Sequence, residues 1–166
     1  MNRQLVTIIT GQTKVMLRNM RICLKTCIME DTIYGMPMYK HVYHALHSLD
    51  RWFVNPDHFD EPPFHEPNLN SLDIASEKVL SREQLEEYLN VIEQKILTYL
   101  DALTDEQLSQ KPEGSEYTRL TLILVQFKHL YAHLGMINCN TIQATGRWPR
   151  VIAEDSVFSK ENELYE

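Results

Sequence analysis

Two imidazoles stand four residues apart in the stretch Gln126-Phe-Lys-His129-Leu-Tyr-Ala-His133-Leu-Gly-Met-Ile-Asn138. On a helix such a pair leaves one face, with roots about 6 Å apart, close enough to share one metal ion. A third histidine from a neighbouring helix would complete a three-nitrogen set with open coordination positions, as catalytic metal sites use. Leu130 follows the first histidine, so the H-E-x-x-H metalloprotease pattern with its built-in general base is excluded. The competing reading is a pair of satisfied core histidines. Buried polar groups without partners cost about 1–3 kcal/mol each, so such histidines need hydrogen bonds or a metal.

The third ligand has three candidates, His41, His44 and His47. Spaced by three, they rotate about 60° in succession around a helix and cannot all face one centre. His44 shares the stripe of Val42, Tyr43, Leu46, Leu49 and Phe53; it is the preferred ligand, with His47 second and His41 on the flank. His58 and His65 fall in a proline-rich segment and read as exposed loop histidines, with an outer-ligand role as the alternative. No general base stands out. Asp50 lies about 120° around the helix from His44, and Tyr43, Tyr131 and Asn138 read first as packing or helix–helix contacts.

The positioning elements are helices. Residues 4–28 carry apolar side chains at three- and four-residue spacing. A second helix should begin near Pro37 and stop before Asn55-Pro56. Residues 55–80 form a long irregular connection between the second and third helices, with a short helical turn expected near Leu72–Ala75. Ser81-Arg-Glu-Gln84 is a capping box opening the third helix, and Thr104-Asp-Glu-Gln107 repeats it before a short one. The fourth long helix runs from Tyr117 or Arg119 to Thr145, with Gly146 as its stop. The expected fold is an all-α four-helix bundle over residues 1–154 with a polar, poorly tied tail over 155–166.

A chain of 166 residues fits one domain, and its net charge of −7 promises no nucleic-acid partner. The basic group Lys14, Arg18, Arg21 and Lys25 reads as a solvated helix face. Three cysteines argue against a disulfide framework; Cys23 and Cys27 are expected reduced and buried. No signal peptide and no uninterrupted apolar run near the ~20 residues of a membrane span is present, so a cytoplasmic location is the default expectation.

The run His44-Ala-Leu-His-Ser-Leu-Asp50-Arg-Trp52-Phe53 resembles the histidine-bearing helix of the DinB/YfiT-like superfamily. His129-Leu-Tyr-Ala-His133-Leu-Gly135-Met-Ile-Asn138 is similar to its H-x-x-x-H-x-G-Q-[LI]-N segment, and the capping boxes at Ser81 and Thr104 resemble its third helix and following turn. The likeness runs from about residue 35 to 151. It implies a four-helix bundle, a homodimer, and a divalent transition metal, nickel or zinc, on His44, His129 and His133. Ala132 and Met136 depart from a histidine and a glutamine common in that pattern. The resemblance implies a small-molecule substrate, with a low-molecular-weight thiol in some members, and thiol-transferase or hydrolase chemistry. The alternative is a non-catalytic, stress-related metal-binding or dimerising module whose histidines are structural.

Overall fold

The computed structural model describes residues 2–154 and 163–166. The chain is all-α apart from one small ribbon: α1 Gln4–Thr26, β1 Thr32–Ile33, β2 Met36–Pro37, α2 Met38–Trp52, α3 Arg82–Ala102, α4 Asp105–Leu108 and α5 Arg119–Thr145. The helix limits read from sequence fall within two residues of these at most ends. Helix α1 closes two residues early, at Thr26, where the Arg82 guanidinium donates to the Leu24 and Cys27 carbonyls that the helix leaves unpaired. At its start, the Asp105 carboxylate accepts from the Leu5 and Val6 amides at 3.2 and 3.0 Å. Arg3 returns the favour to α3 by donating to Leu100 and Leu103 carbonyls, both at 3.0 Å. Helix ends are thus satisfied by side chains from neighbouring helices, which fixes the helices against one another.

The break between α1 and α2 contains the ribbon, which sequence reading treated only as a turn. Tyr34 and Gly35 both take positive φ, 52° and 78°, as a two-residue hairpin turn requires. The strands pair Thr32 with Pro37 and Ile33 with Met36. His41 ties the ribbon to α2 by donating from Nε2 to the Ile33 carbonyl at 3.0 Å.

Residues 53–81 are irregular, as expected, but they are anchored rather than loose. Leu69 and Leu80 are buried in the main core. Lys40, fully buried, donates its ammonium to the Asn68 and Ile74 carbonyls, and burial lowers its pKa. The helical turn expected near Leu72–Ala75 does not form. The Ser71 hydroxyl takes the Asp73 and Ile74 amides, and Lys40 takes the Ile74 carbonyl, so the groups a helix would pair are already used.

Helix α2 packs on α5 and α3, and α1 packs on α3 and α5, so the four long helices enclose one core. Helix α5 has 27 residues and contains an 18-residue stretch of mean hydropathy 1.2, long and apolar enough to cross a membrane by length and composition. Counting uninterrupted apolar runs missed this, because Lys128, His129 and His133 divide the helix. Here its buried face lies against α2 and α1. Of the expected tail, residues 155–162 lie outside the described residues. Residues 163–166 lie along the segment after α5: Tyr165 bridges Pro149, Leu164 joins Val15, Ile22 and Ile152, and Arg147 stacks on the Tyr165 ring.

Candidate metal centre

Helix α5 starts at a capped Thr118, whose hydroxyl accepts from the Thr121 amide, and ends at Gly146 in the left-handed region, φ 68°. Between these stops Leu122 and Gln126 are buried, and the same face continues through His129 and His133. Met136 is exposed, and Ile137, Asn138 and Thr141 take the interior, as the 3.6-residue period drifts across the stripe.

The structure brings His44 of α2 together with His129 and His133. The His129 Nε2 lies 3.3 Å from His44 Nε2 and 3.1 Å from His133 Nε2. Three ring nitrogens bound at 2.0–2.1 Å to one tetrahedral ion lie about 3.3–3.4 Å apart, so the spacing fits shared coordination. Protonation supports the same fit. The His44 Nδ1–H donates to the Asn70 carbonyl at 2.8 Å, which leaves a lone pair on its Nε2 when the ring is neutral. His129 Nε2 carries either one proton, which it can aim at one neighbour only, or a lone pair, which faces that of His44, so one of the two contacts lacks a directed hydrogen bond. A cation at the centre removes that deficit.

Burial acts in the same direction. It lowers the pKa of His129, helped by His44, and pushes His133 down to about 4, with His44 and His129 adding to the effect. Neutral imidazoles are the metal-binding form. The Nδ1 atoms of His129 and His133 are buried and find no partner among the described residues. His44 alone therefore has a protein group holding its outer nitrogen, and that group comes from the 53–81 connection.

The flanking histidines are placed differently from expectation. His41 and His47 are more deeply buried than His44, each 3% exposed. A ligand must face an opening, so partial exposure suits His44. His58 is exposed as expected, but His65 is not a free loop residue. Its Nδ1 accepts from the Tyr43 hydroxyl at 2.7 Å, and its ring stacks on His47 at 5.0 Å. His47 in turn donates to the Glu61 carboxylate at 2.6 Å, giving a second group of ligand types, His47, Glu61 and His65. The sequence separates His47 from His65 and does not single out Glu61, because the connection that folds Glu61 and His65 onto α2 has no periodic pattern. Asp50 accepts from Tyr88 and Lys95 at 2.8 and 2.6 Å. Asn19 donates to the Tyr131 hydroxyl at 3.3 Å.

A cleft of about 320 Å³ opens beside His129, between the end of α2 and the start of α5. Trp52, Tyr117, Leu122 and Val125 form its walls, with Ser48 and Gln126 as polar lining. Tyr43, Tyr131 and Asn138 are not among the lining residues. No family model, curated protein or solved structure matches this chain.

Proposed function

We propose that this chain is a DinB/YfiT-like four-helix bundle that holds a divalent transition metal, nickel or zinc, on His44, His129 and His133. It acts on a small molecule as a thiol transferase or hydrolase, in a reducing cytoplasmic setting and as a homodimer. The observation that carries the reading is that His129 Nε2 lies at coordination spacing from both His44 Nε2 and His133 Nε2, with the His44 tautomer set by the Asn70 carbonyl. The three thiols, two of them buried, suit a reducing compartment.

A divalent ion on three neutral imidazoles keeps its full charge and acidifies a bound water or thiol towards ~7 or below. The chain's own part is orientation and shielding. Asn70 aims His44, the helical spacing aims His129 and His133, and the Trp52, Leu122 and Val125 walls exclude water on the α2–α5 side. Among the described residues no carboxylate lines the cleft, so proton acceptance falls to the coordinated nucleophile or to solvent.

Elemental analysis of protein prepared without a histidine tag tests the reading. One equivalent of metal, lost in His129→Ala together with any electrophile–thiol conjugation, is the expected result. Absence of stoichiometric metal, with stability indifferent to chelator, overturns it.

A further inference from the structure

Gln126 is an unusual residue for the wall of an apolar cleft. It is 2% exposed, yet its amide is only half used. Its Oε1 accepts from the Ser48 hydroxyl at 3.3 Å, while its Nε2 donates to nothing among the described residues. That nitrogen is not sealed in, and the residue lines the cleft one turn before His129. A cleft-wall donor that the chain leaves to solvent is free to pair with an acceptor that enters, at a net gain of about 0.5–1.5 kcal/mol.

We infer that the cleft beside His129 binds a neutral small molecule with a flat apolar body and an accepting carbonyl-type oxygen, and that Gln126 Nε2 orients it by donating to that oxygen. The walls supply the rest of the specificity. Trp52 and Tyr117 offer ring faces and Leu122 and Val125 offer aliphatic surface, which suits a planar apolar group. No lysine, arginine or carboxylate is among the lining residues, so apart from the ion proposed on His129 a charged ligand would lose its hydration there without a counter-charge. The cleft volume of about 320 Å³ sets the size, at the small end of ligand pockets. With Oε1 taken by the Ser48 hydroxyl, Nε2 is the amide atom left to pair with the entrant. Held there, the ligand's polar end lies next to His129. The inference rests on the metal-centre reading only in calling this molecule the substrate; binding itself depends on the cleft alone.

The test uses full-length protein as purified, its metal content measured, and follows the Trp52 indole and Gln126 side-chain amide signals in ¹H–¹⁵N spectra. Three probes differ in one property each: methyl benzoate, toluene without the acceptor, and benzenesulfonate with a charge. Methyl benzoate should shift both signals and bind about fivefold more tightly than toluene, the scale of one net hydrogen bond. Benzenesulfonate, compared in chelator-stripped protein so that no ion attracts it, should bind most weakly. Gln126→Leu should bring methyl benzoate to the affinity of toluene while toluene holds or tightens. Val125→Trp, at a half-exposed position, should abolish binding of both and leave the remaining spectrum native. The inference is overturned if the methyl benzoate advantage survives Gln126→Leu, if benzenesulfonate binds tightest, or if no probe shifts Trp52. Bound metal without probe binding sinks this inference and leaves the metal centre standing. Probe binding without metal supports the cleft and sinks the metal centre.

Discussion

His44 and His47 lie three residues apart on α2, and each belongs to a cluster of three side chains of metal-ligating type. In the His47 cluster each hydrogen-bond contact has a donor and an acceptor. Asn70 Nδ2 donates to His47 Nδ1 at 3.4 Å, His47 Nε2 donates to Glu61 at 2.6 Å, and Tyr43 donates to His65 at 2.7 Å. In the His44 cluster the close contacts run from nitrogen to nitrogen, at 3.1 and 3.3 Å, and two outer nitrogens have no partner among the described residues. Protons supply every hydrogen bond of the first cluster but only one directed bond of the second, because both of its contacts share His129 Nε2. Proximity of ligand types is therefore a poor guide to a metal site; the donor–acceptor count discriminates. The first cluster reads as a clasp holding the 53–81 connection to α2, the second as a coordination centre.

The largest expected effect breaks that comparison directly. His129→Ala should weaken metal binding by more than about 100-fold, since even outer-sphere partners are worth 10–100-fold. His47→Ala should leave metal stoichiometry unchanged while lowering stability. Elemental analysis of both variants, beside a urea titration, checks it. Metal lost from both variants alike would erase the distinction.

How much of this was legible in the sequence depends on the range of the interactions involved. The ends of α5 and the start of α3 were, because Gly146 and the Ser81–Gln84 box act within one turn. The convergence of His44 with His129 and His133 also followed from helical period and element order. The ribbon was hidden because two-residue strands carry no period, and its signal lay only in Tyr34-Gly35. Lys40 was hidden for a different reason: a lysine in a helical stripe reads as solvent-facing, and only the path of the connection supplies the carbonyls that bury it. Glu61 and His65 depended on the same path.

Lys40→Met probes that path. Losing the ammonium strands the Asn68 and Ile74 carbonyls, and hydrogen bonds to a charged group are worth about 1.5–3 kcal/mol. Unfolding of chelator-stripped protein should show a loss of about 2 kcal/mol. Metal affinity should fall about tenfold, because the connection also carries the Asn70 carbonyl that orients His44. Unchanged metal affinity would separate the clasp from the centre.

A smaller effect concerns acid. Burial lowers the pKa of His41, His47, His129 and His133, the last to about 4. The unfolded chain, with histidines near 6.5, then binds more protons than the folded one. Stability of stripped protein should therefore be greatest above pH 6.5 and decline as pH falls, with the His133 share lost by about pH 4. Denaturant midpoints between pH 8 and 4 measure this, and bound metal should steepen the decline because protons compete for its ligands. A flat profile would contradict the burial of these rings.

Glu61→Gln should give the smallest change at neutral pH. The Glu61 side chain is 44% exposed, and a solvent-screened pair of this kind contributes about 1 kcal/mol or less. The substituted amide can still accept from His47 through its oxygen, so the clasp persists. The pH dependence should nonetheless change. Burial lowers the His47 pKa and Glu61 partly offsets it; without the carboxylate the folded-state value drops further below that of the unfolded chain. More stability is then lost as pH falls through 6.5, so the variant should differ little from the parent at pH 7.5 and more at pH 5.5. The same variant separates the clusters. Metal stoichiometry should not move, because Glu61 belongs to the group whose contacts are already complete; loss of one equivalent would make that group a second coordination centre.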